Sequence, residues 1–410
     1  KAIELTYKLA PFHAKRLDDI QSLYYSEESF DDFYYGKGST YGDIHGSVGI
    51  LFEQASSRAL TTESNQGKLT YAFSVRNQFM TTLGTLDGLV SLRSEFLKYH
   101  RDFYATSKDV ATKNKIKGYL INLNENRTRS QFLIRTLQSH RVEVYDLNKP
   151  ITMKGNKFEK GEAVIVPTDQ AQTRFIAGVM EKVVDFEDSL FYDVSAWTLP
   201  LAYGVDYYEM KQKPNAFLGS KLKFIDPDGG KLFGGKANTA YLMPWNRYFN
   251  PKSLYTIIDK GIIPRLTTAP FSAKISGKEM KFKRGTIVIP VSQRDADATI
   301  LPSEVHSLME EIVQNDHVQI YATNSALTPN GPDLGGPFQG VLNKPKVAIL
   351  SGDGTSAYGA GEIWHLVNHR MQIPVSLIDA NNLNRSKLSK YNTMILPDGS
   401  YSKLDSSDIK

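Results

Sequence analysis

Leu9, Phe12, Leu17, Ile20, Leu23 and Tyr24 recur at helical spacing, with Lys15, Arg16, Asp18 and Asp19 on the opposite side, and predict an amphipathic helix over about 8–25. A Gly-rich aromatic stretch, Phe33-Tyr-Tyr-Gly-Lys-Gly-Ser-Thr-Tyr41, then leads into the run Ser47-Val-Gly-Ile-Leu-Phe52. Such a run predicts a strand buried on both faces, with Glu53 at its carboxyl end. From Val75 to about Thr106, Phe79, Leu83, Leu86, Val90, Phe96, Tyr99 and Phe103 mark one face of a long helix, and a first boundary falls in the Lys-rich stretch 113–117.

The pattern between 118 and 325 occurs twice. Tyr119-Leu120, a helical stretch, Gly155 to Gly161 and Ala163-Val-Ile-Val-Pro167 match Tyr241-Leu242, a helix near Ser253–Lys260, Gly277 to Gly285 and Ile287-Val-Ile-Pro290. Each copy, 118–196 ending near Tyr192 and 240–325 ending near Tyr321, reads as strand, helix, strand, hairpin, strand and second helix, an α/β unit. Leu327-Thr-Pro-Asn-Gly-Pro-Asp-Leu-Gly-Gly-Pro337 is dense in Pro and Gly, as in a linker, placed over 326–345. Beyond it, Lys346–Leu350, Pro374–Ile378 and Thr393–Leu396 read as strands and Ala360–Met371 as a helix, the opening of a doubly wound sheet. About 65 residues (346–410) are too few to complete such a domain, so the sequence is expected to stop inside it.

The expected fold class is therefore α/β, and at 410 residues with 41% hydrophobic content the chain can bury two or three cores. The net charge of +5 is spread along the chain and no basic run is long enough for a nucleic-acid surface. No stretch approaches the roughly 18 apolar residues of a membrane span. The absence of cysteine removes disulfides, Cys nucleophiles and Cys-ligated metals. Because the chain opens within a helix-like pattern and not with Met, an upstream portion is expected.

The string from Phe33 through Tyr34, Tyr35, Gly36, Gly38, Tyr41, His45 and Glu53 to Arg58 resembles the last catalytic stretch of the zinc carboxypeptidases of the carboxypeptidase A type, and is closest to large bacterial members with extra C-terminal domains. The resemblance covers about 70 residues. It implies that residues 1–117 are the end of a catalytic domain with a mixed sheet, that Glu53 is the general base and acid, and that Tyr35, with Tyr34 as the alternative, covers the substrate. In this chemistry zinc acidifies its bound water and a neighbouring carboxylate takes the proton and passes it to the leaving amine, a transfer worth about 10²- to 10⁴-fold in rate. The family's zinc ligands are a His-x-x-Glu pair and a later histidine. His13 and His45, the histidines before Glu53, are followed three residues on by Arg16 and Val48, so no zinc ligand is assigned in this chain and the segment alone is expected to be inactive.

The resemblance further implies peptide or protein C-termini as substrate, a periplasmic or secreted location, and pairing with the missing N-terminal portion or with a second copy. The rival reading is a non-catalytic, degenerate peptidase-like scaffold. The region after Lys346 resembles, more weakly, the start of a class I glutamine amidotransferase-like domain of flavodoxin-like fold, without the nucleophilic Cys. Among smaller signals, Glu362, His365 and His369 share a helical face that could meet a metal, but a packing role is favoured. Gly230-Lys-Leu-Phe-Gly-Gly-Lys-Ala237 nearly spells a phosphate loop, but has Ala237 where the magnesium hydroxyl belongs. Ser351-Gly-Asp-Gly-Thr-Ser356 joins strand to helix, a geometry that could face an anion but reads first as a tight connection.

Overall fold

The computed structural model describes residues 1–26, 34–55, 57, 59–65, 67–124, 127–182, 198–223, 230–293 and 300–402. The chain is mixed α/β and divides into two compact units, Lys1–Asp226 and Pro227–Lys410. Of the sequence features named above, Phe33, Arg58 and Tyr192 lie outside the described residues.

The first unit opens with helix α1 (Ala2–Asp19), which starts before the sequence pattern suggests. It ends at Asp19 because Gln21 takes a left-handed backbone (φ 54°) and the Ser22 N–H turns back to the Leu17 carbonyl. After α2 (Gly38–Asp43) and a hairpin of β1 (Thr61–Ser64) and β2 (Gly67–Thr70), α3 (Tyr71–Ser91) begins under a cap in which Thr70 Oγ1 accepts from the Phe73 N–H. The single long helix expected over 75–106 is broken at Leu92, whose ψ of 14° leaves the helical range, and resumes as α4 (Arg93–Ala105) and α5 (Ser107–Lys113).

Helix α3 packs on α1 through its small and polar residues. Leu5, Leu9 and His13 of α1 face Asn77, Thr81, Gly84 and Gly88 of α3, and a Cβ on Gly84 would stand 2.9 Å from the Phe12 carbonyl oxygen. Only glycine permits that approach. Val75, Phe79, Leu86 and Val90 sit on the other side of α3, where Phe79 is 59% and Val90 79% exposed.

The rest of the unit is a five-stranded antiparallel sheet. Its strands are β3 (Gly118–Asn122), β4 (Tyr145–Leu147), β7 (Ala163–Pro167), β8 (Tyr207–Met210) and β9 (Leu218–Lys221), in the order β8-β3-β7-β4-β9. Alternate residues fill two cores, as strand geometry requires. Tyr119, Ile121, Val164 and Val166 meet α6 (Arg127–Ser139) and α7 (Thr173–Met180) on one face. Leu120 and Ile165 meet the hairpin of β5 (Ile151–Met153) and β6 (Asn156–Phe158) on the other. A short helix α8 (Leu199–Ala202) precedes β8.

The second unit repeats this arrangement. Its strands β10 (Lys231–Phe233), β11 (Ala240–Met243), β12 (Arg265–Thr267), β15 (Ile287–Pro290), β16 (Gln319–Thr323) and β17 (Gln339–Val341) take the order β10-β16-β11-β15-β12-β17, so five strands follow the order of the first sheet and β10 adds an edge. Tyr119 opposes Val166 as Tyr241 opposes Ile289. Helices α9 (Asn250–Asp259) and α10 (Pro302–Asp316) cover one face, and the hairpin of β13 (Phe271–Ile275) and β14 (Lys278–Phe282) covers the other.

Both hairpins turn through two residues of positive φ, Lys154-Gly155 and Ser276-Gly277. A glutamine three residues past the central strand bridges both sheets identically. Gln170 accepts from the Glu143 N–H (2.7 Å) and donates to the Pro167 carbonyl (2.6 Å); Gln293 accepts from the Ile263 N–H (3.0 Å) and donates to the Pro290 carbonyl (2.7 Å). Both repeats run beyond the ranges 118–196 and 240–325, because β9 and β17 complete the sheets at 221 and 341. Among the described residues, only the second repeat buries a carboxylate in an ion pair, at the end of α10, where Asp316 is held by Lys252 (2.8 Å) and the Ser253 hydroxyl (2.9 Å) of α9.

The Pro- and Gly-rich segment proposed as a linker over 326–345 is stitched down. The Ser272 N–H donates to the Asn330 carbonyl, the Thr268 N–H to the Phe338 carbonyl, and β17 pairs with β12. Beyond it lie the parallel strands β18 (Val347–Ser351), β19 (Val375–Asp379) and β20 (Thr393–Ile395) in the order β19-β18-β20, with α11 (Ala357–Trp364) between the first two.

Candidate functional site

The segment 34–55 carries the residues singled out in the sequence. Helix α2 begins after Lys37 without a side-chain cap, and the turn after the helix is closed by the Gly49 N–H donating to Asp43 Oδ1 (3.1 Å). Gly49 lies so close to the Ser39 backbone that a side chain there has no room.

The expected buried strand over 47–52 does not form. The segment belongs to no sheet among the described residues, and Val48, Ile50 and Phe52 are only half-buried while Leu51 is exposed. Its polar groups find α3 in place of a ladder. Gln78 Nε2 donates to the Phe52 carbonyl (3.2 Å), Asn77 Nδ2 to Gln54 Oε1 (3.1 Å) and Ser74 Oγ to the Ala55 carbonyl (3.1 Å). Apolar residues favour a strand in the sequence, but a strand needs neighbours with free edges, and the described residues supply side chains of a helix instead.

Glu53 therefore stands exposed in an irregular segment, without a hydrogen bond or ion pair to Tyr34 or Tyr35 among the described residues. Tyr35 packs against the core that α6 and α7 form on the sheet, near Tyr203, and burial holds its phenol well above the usual value, so it stays protonated. Tyr34 lies beside it, ring centroids 5.3 Å apart.

A cluster absent from the sequence argument forms next to this segment. His45 lies between Tyr41 (4.6 Å), Phe175 (5.1 Å) and His140 (5.6 Å), the last two nearly parallel to it. Helix α4 holds this turn through three residues. The Tyr104 hydroxyl donates to the His45 carbonyl (3.2 Å), His100 Nδ1 donates to the Gly46 carbonyl (3.0 Å), and Gly46 turns with φ 74° against the Phe103 ring.

His140 Nδ1 faces the Thr136 carbonyl (2.8 Å) and must carry a proton, which leaves Nε2 as an acceptor in the neutral ring. His45 Nε2 is enclosed without a partner among the described residues. Burial, reinforced by His140, pushes the His45 imidazole below its ordinary value and keeps it neutral near pH 7. Stacked imidazoles aim their lone pairs side by side, so the pair is built for packing and not for chelation. In the sequence His45 reads as an isolated histidine; nothing there joins it to His140, 95 positions away.

The other sequence candidates settle into structural roles. His13 is buried, its Nε2 2.9 Å from Thr85 Oγ1 and its ring edge-on to Phe52. His365 and His369 lie 5.1 Å apart on the turn that follows α11. Among the described residues no group of three or more His, Asp or Glu is placed to hold a metal ion, so they do not fit a zinc site of the expected three-ligand kind. Gly234 and Gly235 follow β10 as a left-handed turn, and Gly352 and Gly354 form the tight connection before α11, where Ser356 caps the helix by accepting from the Gly359 N–H.

No helix is long and apolar enough to cross a membrane among the described residues. No family model, no curated protein and no solved structure matches the chain.

Proposed function

We propose that this chain is the C-terminal portion of a zinc carboxypeptidase of the carboxypeptidase A type, acting on peptide or protein C-termini in a periplasmic or secreted setting. The observation that supports it best is the inverted helix α3. Its small, polar side is buried against α1 and its apolar side, Val75, Phe79, Leu86 and Val90, faces outward. A helix laid on a catalytic sheet presents such a side to that sheet, and exposing it to water is costly at about 25 cal/mol per Å². The zinc ligands belong to other polypeptide, Glu53 is the proton-transferring carboxylate and Tyr35 or Tyr34 the substrate-covering group.

The central region is a duplicated α/β unit on this reading, supported by the shared strand order and the twin glutamine bridges. The parallel strands after Lys346 are the opening of a flavodoxin-like, amidotransferase-like domain, supported by the order β19-β18-β20. The deciding experiment replaces Glu53 by Gln in a protein that also carries the His-x-x-Glu pair. kcat for release of a C-terminal residue is expected to fall about 10²- to 10⁴-fold with zinc content unchanged. Unchanged turnover would rule Glu53 out.

A second reading, a non-catalytic scaffold, is favoured by the exposure of Glu53 and by the lack of a metal-competent cluster among the described residues. Zinc analysis separates the two, since a scaffold binds no stoichiometric metal even in the longer protein.

A further inference from the structure

The two sheets correspond strand for strand, and their difference marks a binding edge. Leu120 opposes Tyr208 in the first sheet as Leu242 opposes Tyr321 in the second, so the two tyrosines are equivalent. Each meets the last phenylalanine of its hairpin in the same edge-on manner: Tyr208 lies 5.4 Å from Phe158 at 62°, and Tyr321 lies 5.5 Å from Phe282 at 79°. In the second sheet a third ring completes the stack. Strand β10 runs parallel along β16 and lays Phe233 on Tyr321, centroids 4.6 Å apart and planes 6° from parallel, with Lys231 beside Gln319.

The same edge of the first sheet, the outer side of β8, pairs with no strand among the described residues. The carbonyls of Asp206 and Met210 accept from Asn122 and Lys117 on the inner side. By strand alternation the N–H and C=O groups of Tyr207 and Glu209 therefore point outward. Tyr208 is half-buried where Tyr321 is buried, and Asp206, equivalent to Gln319, adds a carboxylate opposite the position that Lys231 takes in the second sheet.

We propose that the outer edge of β8 takes up an extended peptide from a partner protein, running parallel to β8. An aromatic side chain of the peptide stacks on Tyr208, and a basic side chain two residues earlier faces Asp206. Main-chain hydrogen bonds to Tyr207 and Glu209 supply affinity and the two side chains supply selectivity, the usual logic of strand addition. The inference stands apart from the peptidase reading and holds whether or not the chain belongs to an enzyme.

The test uses the full chain and a fluorescent peptide Gly-Lys-Leu-Phe-Gly-Gly, the sequence of the β10 segment. Saturable binding is expected, weakened at least tenfold by Phe-to-Ala in the peptide, by Asp206→Lys in the protein, or by peptide N-methylation of the amides that face β8. Amide exchange at Tyr207 and Glu209 should be fast in the free chain and slow with peptide. Protection of those two amides before peptide is added, binding indifferent to N-methylation, self-association of the chain through this edge, or no binding would each overturn the proposal. The peptide variants leave the protein untouched, so the outcome does not depend on a variant folding.

Discussion

The helices at the start of the first unit and the two sheets bury opposite kinds of surface. In the sheets, leucine, isoleucine and valine fill both faces and the covering helices turn their apolar stripe inward. Between α1 and α3 the buried side holds Leu5, Leu9 and His13 of α1 with Asn77, Thr81 and two glycines of α3, and large apolar residues of α3 face out. A sheet repeat is complete by itself in this respect. The helix pair is held by close backbone approach and hydrogen bonds, and it leaves the apolar side of α3 exposed.

This contrast can be broken by substitution. Asp316→Ala, which strips the carboxylate at the end of α10 from Lys252 of α9, is expected to cost about 3 kcal/mol, measured as a shift in urea midpoint at constant m. Leu133→Ala, in the fully buried face of α6, should cost about 2–5 kcal/mol, at the lower end if the site collapses. Gly84→Val drives a branched side chain into the α1 backbone and should cost about 1–3 kcal/mol. Phe79→Ser should leave the midpoint within about 0.5 kcal/mol while reducing aggregation. A Phe79→Ser loss as large as that of Leu133→Ala would mean that α3 is already covered and would erase the distinction.

A smaller effect concerns pH. Burial lowers the affinity of His13 and His45 for protons in the folded chain, so below the ordinary value of 6.5 the unfolded chain binds more protons. Stability therefore declines as pH falls from about 7 toward 5 and levels off below the folded-state values. His13→Gln, which cannot titrate, should flatten that slope in urea titrations, and an unchanged slope would exclude His13 as a contributor.

Much of the sheet architecture was legible because β3, β7, β11, β15 and β18 are short apolar runs bounded by turn residues, and the Gly155 and Gly277 turns punctuate both repeats. Strands β8, β9, β10 and β17 were not legible. They are three or four residues long, mixed in polarity, and defined by their neighbours more than by their own sequence. The run at 47–52 shows the converse, since apolar residues predict burial of some kind but cannot name the partner strand. The His45–His140 cluster and the glutamine bridges depend on contacts between distant residues, which a single sequence does not record.

The stitched segment between Ala326 and Pro345 bears on how the chain can be dissected. A cleavage point chosen from composition, near 326, would strip β12 of its outer neighbour and leave the Thr268 N–H without the Phe338 carbonyl. The truncation that respects the second sheet ends after Lys344, because the Leu342 N–H donates to the Pro264 carbonyl and Lys344 pairs with Asp259 (2.5 Å), and fragments prepared on either side of that position can be compared without confusing a damaged edge with a missing activity.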